Sequence, residues 1–428
     1  MKHGKTVLIL TFVLALSGCA NRTTDSLFDN KLNQTLEKKD YFKLSKLLEN
    51  NEDKLSEDRR LYYKAFVANS FGEREQFNAY IHVLLGKYKH KFSDSLLVDL
   101  LELKAANSIY VYNYKQASEI YSNILTDYPG VIDSSGVESI KNVVNLFGTF
   151  AGVKPQIMHP HKTVEIASYR NKFNDLMVPV RSNRVSEDFI FDTGANLSTI
   201  SASQAKKMDL IVFEQQVKVG SSTTLSVQTK LAVADSLYVG DILFENVLFY
   251  IMPDEMLASP EMNFQIHGII GFPIIHQLEE VQLHKDGSLT IPEKPMDRKI
   301  RNMFFEGLNP VVKVLAENDT LLFTVDTGAR ASELSFKYYN DHKSDVEKRG
   351  ELQTNPRTGA GGKTMVKEYM LYDFPMTIGS KSTVLSKIPV TLEEYAFNKY
   401  ADGNLGQDLF TQFNTLIINF KYMYIDFE

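Results

Sequence analysis

The 428-residue chain has a single cysteine, so no intrachain disulfide framework can staple it and no cysteine-based zinc finger can form. It also lacks an excess of positive charge. Lys and Arg number 47 against 53 Asp and Glu, a net charge of −6, which removes the electrostatic reason to expect nucleic acid as a partner. The apolar run near the N-terminus, residues 7–16, is too short for a spanning helix, which needs about 20 apolar residues. Proline is absent until Pro129. What remains has the composition of folded globular protein, 43% apolar and 23% charged, which excludes extensive disorder and fibrous architectures. The length suggests about three domains.

The lone cysteine stands in an informative place. Lys2, His3 and Lys5 precede the apolar run, and Leu16-Ser17-Gly18-Cys19 closes it. A basic head, a short apolar core and small residues before a break have the form of a secretory signal over residues 1–18. The four closing residues resemble the bacterial lipobox. That resemblance implies cleavage before Cys19 and lipidation of its sulfur, giving a protein of the bacterial cell envelope attached to membrane through an N-terminal lipid. Ala20 resembles outer-membrane sorting. Loss of residues 1–18 removes two lysines and no acid, so the mature chain carries −8. Residues 19–26 then read as lipid anchor and polar tether.

From residue 27 to about 152, apolar residues recur at three- and four-residue intervals, as in Leu44, Leu47, Leu48 and in Leu97, Leu100, Leu101. This spacing predicts helices. Residues 98–129 resemble a tetratricopeptide hairpin, with Ala105 and Ala117 as small positions, Tyr121 as the bulky one and Pro129 closing. After Pro155 the runs become short, rich in Val, Ile, Phe and Thr and separated by Gly, Asn, Asp and Ser, which predicts β-structure. Pro292-Glu-Lys-Pro295 divides this part into stretches of similar size, 164–294 and 300–428. The fold class expected is multidomain: an all-α helical-hairpin region followed by an all-β bilobal region.

The two β stretches repeat one another. Phe189-Ile-Phe-Asp192-Thr193-Gly194-Ala195 in the first matches Phe323-Thr-Val-Asp326-Thr327-Gly328-Ala329 in the second. Val180 and Val314 each lie 12 residues before the aspartate, and Ile200-Ser201 and Leu334-Ser335 lie 8 and 9 after it. Gly268-Ile-Ile-Gly271 and Gly403-Asn-Leu-Gly406 follow, with 79 and 80 residues from aspartate to final glycine. Landmarks before, at and far beyond the motif stay in step. The pattern is an internal duplication with a candidate site in each half.

Here the sequence resembles the aspartic proteases, and Asp-Thr-Gly-Ala is the retroviral-type form of their signature. The resemblance spans about 164–427, with one departure, Asn404 in place of an apolar residue. It implies a bilobal fold in which Asp192 and Asp326 face each other, share one proton and activate a water against a peptide bond. No cofactor and no metal is required. Thr193 and Thr327 would bond across the junction, and Gly194 and Gly328 would let the loops approach closely. Ala195, Asn196, Ala329 and Arg330 would line the substrate main chain. Arg330 either points outward, pairs with Glu333 or faces the cleft. Gly361, within Thr358-Gly-Ala-Gly-Gly362, marks a flap over a peptide or protein substrate, and Gly220-Ser-Ser-Thr223 is its counterpart. With both aspartates in one chain, a monomer suffices. His159-Pro160-His161 reads as linker rather than metal site. The helical region, holding no aspartate of the pair, reads as separable. The competing reading is a non-catalytic envelope lipoprotein whose hairpins and cleft bind peptide or protein partners.

Cys19→Ser is expected to abolish acylation and leave precursor or soluble protein, since the acyl chains supply the membrane affinity. Fractionation of that variant with membranes after a high-salt wash would refute the anchor.

Overall fold

The computed structural model describes residues 23–220, 226–259, 263–317, 319–359, 362–394 and 399–428. Cys19, the signal at 1–18, Gly361 and Ser221-Ser222-Thr223 lie outside the described residues.

A helical region comes first. It comprises α1 (Ser26–Glu37), α2 (Tyr41–Glu49), α3 (Glu57–Ser70), α4 (Arg74–Gly86), α5 (Asp94–Tyr110), α6 (Tyr114–Asp127) and α7 (Ser134–Thr149). Side-chain oxygens satisfy the free amides at several helix starts: Asp25 accepts from Leu27 and Phe28, Ser93 from Leu96, and Asp133 from Gly136. Neighbouring helices pack as hairpins, and Ala105 is buried with Ile120 and Ile124 where α5 meets α6.

A β-rich region follows. Its first part holds β1 (Ile157–Met158), β2 (Val164–Ile166), β3 (Tyr169–Arg170), β4 (Leu176–Ser182), β5 (Val185–Phe191), β6 (Ser198–Ser201), α8 (Ala202–Lys207), β7 (Ile211–Gly220), β8 (Ser226–Val239) and β9 (Ile242–Met252). It continues through β10 (Ala258–Ser259), β11 (Phe264–Gln265), β12 (Gly268–Ile270), α9 (Phe272–Gln277), β13 (Glu280–His284) and β14 (Leu289–Ile291). The second part holds β15 (Met303–Glu306), β16 (Asn309–Ala316), β17 (Asp319–Val325), β18 (Glu333–Leu334), α10 (Phe336–Arg349), β19 (Glu351–Gly359), β20 (Gly362–Ile378) and β21 (Lys381–Thr391). It ends with β22 (Gly403–Leu405), α11 (Gln407–Phe410), β23 (Thr415–Asn419) and β24 (Tyr424–Phe427).

Each part forms a lobe around its own folded sheet. In the first, β5 runs parallel to β12 and β12 antiparallel to β6; in the second, β17, β22 and β18 repeat that arrangement. The third sheet was not legible in the sequence. Its order β2-β14-β13-β23-β24 draws strands from both lobes, with β13 and β23 paired over five residues. The buried Glu280 carboxylate strengthens this joint, accepting from Asn419 Nδ2 and from the Met296 amide, both at 2.7 Å. A buried carboxylate is tolerated only with such donors.

The helices are not a separate body. One continuous apolar core runs from Phe28 to Phe427. Phe304 of β15 meets Tyr41, Phe42 and Phe71 edge-on, with ring centroids 5.1, 5.4 and 6.4 Å away. On the first lobe, Phe150 sets its ring against Phe213 of β7, and α7 holds the same strand by its backbone. Asn142 donates to the Lys218 carbonyl and accepts from the Lys218 amide, while Asn145 donates to the Gln216 carbonyl. The segment expected to be a linker is also built in. β1 adds to the edge of the first lobe's sheet, and His159 Nε2 lies 2.9 Å from Glu245 Oε1. Among the described residues no helix is long and apolar enough to cross a membrane.

The expectation of a separable helical region is therefore corrected. A chain shortened to begin at Val164 would expose Phe304, Phe305 and Phe213 to water, and is expected to be insoluble or molten by near-ultraviolet dichroism. In the full chain, Phe304→Ala is expected to lose about 3–5 kcal/mol in urea titration. A loss below about 1 kcal/mol would mean that the helices are merely tethered.

Candidate active site

Asp192 and Asp326 follow directly on strands β5 and β17, in loops that turn toward each other across the lobe junction. Each loop is seated by its own lobe: the Asp192 amide donates to the Ile270 carbonyl at 3.0 Å, and the Asp326 amide to Leu405 at the same distance. Gly271 donates to Ser198 Oγ and Gly406 to Ser332 Oγ, both at 3.0 Å. The carbonyls of Ala195 and Ala329 accept from Phe272 and Gln407, so each later glycine-bearing segment supports its aspartate loop from beneath.

The threonines join the halves. Thr193 Oγ1 donates to the Val325 carbonyl at 2.7 Å and accepts the Thr327 amide at 3.0 Å. Thr327 Oγ1 returns both bonds, to the Phe191 carbonyl at 2.7 Å and from the Thr193 amide at 3.0 Å. Both residues are sealed from solvent. Only a residue with a donating and accepting hydroxyl at this reach completes the set.

The close approach explains the glycines. A Cβ on Gly194 would stand 2.7 Å from the Asp326 Cγ, and one on Gly328 would come closer still to Asp192. Each glycine thus makes room for the opposite aspartate.

The two carboxyl groups lie within hydrogen-bonding reach of each other, partly open to the cleft but largely enclosed by protein. Burial holds the Asp192 carboxyl well above the usual carboxylate range, and the Asp326 charge pushes it further. Burial also raises Asp326, opposed by hydrogen bonds from Asp192 and Asn404 and by the Ala329 and Gly328 amides. Both aspartates face two loop amides, Gly194 and Ala195 at Asp192 and Gly328 and Ala329 at Asp326, and Asp326 alone also accepts from a side chain, Asn404 Nδ2 at 3.3 Å. More donors favour the ionised form. The arrangement favours one shared proton, with the negative charge leaning toward Asp326.

Residues 178–274 match the aspartyl protease family. The matched stretch runs from β4 into α9 and contains Asp192, Thr193, Gly194 and Gly271; Asp326 lies beyond it. The match supports a protease-like function in general terms. No curated protein matches the chain.

Ala195 and Ala329 flank the pair, and Asn196 is exposed in the first loop. Arg330 does not pair with Glu333, and its side chain is 47% exposed. It forms a two-pronged ion pair with the buried Asp175 of the first lobe, at 2.9 and 3.2 Å, with its guanidinium 5.2 Å from the Phe173 ring. Glu333 pairs instead with Arg357 of β19. Sequence reasoning missed Asp175 and also Gln407, which donates to the Thr327 carbonyl at 2.6 Å and accepts from Arg170 of the other lobe at 2.6 Å. Nothing in spacing marks partners 155 and 237 residues away. Asn404 did carry a signal, as the one polar residue where the repeat is otherwise apolar. Among the described residues no group of three or more His, Cys, Asp or Glu side chains could hold a metal ion.

The raised native values predict a stability effect. A carboxyl whose pKa is higher when folded costs nothing below its unfolded value of about 3.9, and costs increasingly as pH rises toward the native value. Asp192→Asn should therefore melt with the parent near pH 4 and several degrees above it at pH 8. A difference in Tm that does not grow with pH would show that the pair is not strained by ionisation.

Proposed function

We propose that the protein is an aspartic endopeptidase of the bacterial cell envelope, anchored through lipidated Cys19. The observation that carries the reading is the pair of carboxyl groups, held together by reciprocal threonine bonds, both raised in pKa by burial and Asp192 further by the Asp326 charge. A water bound between the carboxyl groups would lose a proton to the ionised partner. The protonated partner would hydrogen-bond the scissile carbonyl, and the water oxygen would attack its carbon. The tetrahedral diol then collapses as a proton passes to the leaving amine. No covalent intermediate and no metal enters this scheme.

Two long hairpins, β7–β8 of the first lobe and β19–β20 of the second, would cover an extended peptide by main-chain bonding. The first is fastened to α7, so closure over substrate falls mainly to the second. The helical region supports the first lobe's cover and offers its hairpins to a protein substrate. Asp192, Asp326, Thr193, Thr327, Gly194 and Gly328 are the residues assigned to the reaction centre, with Ala195, Asn196, Ala329 and Gly361 along the substrate. Arg330 is assigned a positioning role, fixing the second loop to the first lobe through Asp175.

Asp192→Asn and Asp326→Asn are each expected to lower cleavage of a peptide library by at least 10⁴-fold while retaining the fold. The parent rate should follow a bell in pH: it declines at high pH as the pair loses its shared proton and at low pH as both carboxyls fill. Near-parental turnover by either variant would refute the shared-water mechanism.

A further inference from the structure

The peptide group that joins Thr327 to Gly328 is bonded on both of its edges. Its N–H, on Gly328, donates to Asp326 Oδ1 at 2.8 Å, and its carbonyl, on Thr327, accepts from Gln407 Nε2 at 2.6 Å. Gln407 is only 1% exposed, and its own Oε1 accepts from Arg170 Nη1 at 2.6 Å. A carbonyl only accepts and a guanidinium only donates, so the two ends admit one orientation of the Gln407 amide. A continuous line therefore runs from a cation on β3 of the first lobe, through a side-chain amide and a main-chain amide of the second, to one oxygen of Asp326. Each bond in such a line polarises the next in the same sense.

The first lobe fills the matching position differently. Phe272 follows Gly271 as Gln407 follows Gly406, and both donate their backbone amides to the aspartate loop above them. The Phe272 side chain has nothing to donate and packs against Phe305 and Phe420, with ring centroids 5.5 and 5.8 Å away. Among the described residues Arg170 forms no ion pair, and its buried Nε has no partner. A half-buried cation without a carboxylate is destabilising in itself, yet this one is aimed at the amide behind the reaction centre. The charged groups nearby have partners of their own. Arg330 pairs with Asp175 and Glu333 with Arg357, while Asp408, beside Gln407, accepts from the Ser332 amide and hydroxyl at 2.8 and 2.7 Å. Asp192 faces Asp326 across the junction.

We propose that Arg170 and Gln407 are positioning residues that make Asp326 the ionised member of the pair, the general base toward water, and leave the proton on Asp192, the donor to the scissile carbonyl. This assignment rests on the endopeptidase reading. The duplicated motif by itself treats the two carboxyls alike, and the line to Arg170 breaks that equivalence from outside the motif. Arg170 belongs to the first lobe and Gln407 to the second, so the distinction exists only while the lobes are docked. Its effect on pH dependence has a definite sign. Donation toward Asp326 lowers the pH at which the pair loses its first proton. Below that pH both carboxyls are protonated and no base is present, so the acid limb of activity lies at this ionisation. Loss of the second proton leaves Asp326 charged as before, so the alkaline limb does not depend on the line.

The test uses the full chain and two readouts. One is the pH profile of kcat/KM on a peptide that the parent cleaves. The other is titration of the two carboxyls by carbon NMR of aspartate-labelled protein, each signal assigned by its loss in Asp192→Asn or Asp326→Asn. In the parent, Asp326 is expected to ionise first. Gln407→Met, uncharged and of similar length, should raise that first ionisation and the acid limb together by about half a pH unit or more, with the alkaline limb in place. Arg170→Met should raise the same ionisation, and Arg170→Lys, which keeps a charge and a donor, should restore most of the parental value. The two Met changes combined should shift it little further than Gln407→Met alone, because Arg170 acts through Gln407. If Gln407→Met does not fold, Arg170→Met and Arg170→Lys decide by the same readouts. A fall in kcat/KM with the acid limb and both titrations unmoved would assign these residues a merely structural role and overturn the proposal, as would a parent in which Asp192 ionises first; either result leaves the catalytic reading intact. The expected titrations in a protein that cleaves no peptide would overturn the catalytic reading and leave the placement of the charge standing.

Discussion

Four hydrogen bonds between Thr193 and Thr327 and the strands behind them are the constraint on which the rest of the molecule depends. Each hydroxyl donates to a carbonyl of the opposite lobe and accepts the opposite threonine's amide. All the groups are buried, so none can turn to water if its partner moves. An orphaned buried donor or acceptor costs about 1–3 kcal/mol, which makes the set self-reinforcing. The lobes are thereby locked at the one point where two carboxyl groups must remain within reach despite their repulsion. Burial alone would drive the aspartates apart or neutralise both.

Other joints carry that constraint outward. The shared sheet fixes lobe to lobe through β13 and β23, Arg330 reaches Asp175, and Arg170 reaches Gln407. These contacts cross the junction at separate places, so a rocking motion of the lobes would break several at once. The helices then brace the outside of both lobes through Phe304 and through Asn142 and Asn145. Strand β19 of the second hairpin lies at the edge of its sheet.

Much of this was legible in sequence, for definite reasons. Helix and strand textures differ in period, so the change near Pro155 marks the passage from helices to sheets. The duplicated aspartate segments keep register because the strands behind them must reproduce one turn geometry twice, and that leaves landmarks at fixed distances. The shared sheet left no such trace. Its strands are three to five residues long, and the two pairings that join β13 to β23 and β14 to β2 span more than a hundred residues of chain, so neither periodicity nor repeat points to them. The separability of the helices was misjudged for a related reason. Phe304 and Phe305 look like any buried strand residues until the rings of Tyr41 and Tyr110 are seen against them. Arg330 shows the limit of local reasoning, because the nearest acid in sequence, Glu333, is already taken by Arg357.

The shared sheet has a consequence for the order in which the chain matures. Strands β23 and β24 lie downstream of both aspartates, yet they complete the sheet begun by β2, β13 and β14. A nascent chain that has already emerged with Asp192 and Asp326 still lacks the strands that hold its lobes together. Its first lobe must wait, with the β13 edge open, until residues 415–427 arrive. A chain that ends before residue 415 holds both aspartates and yet lacks the strands that join its lobes.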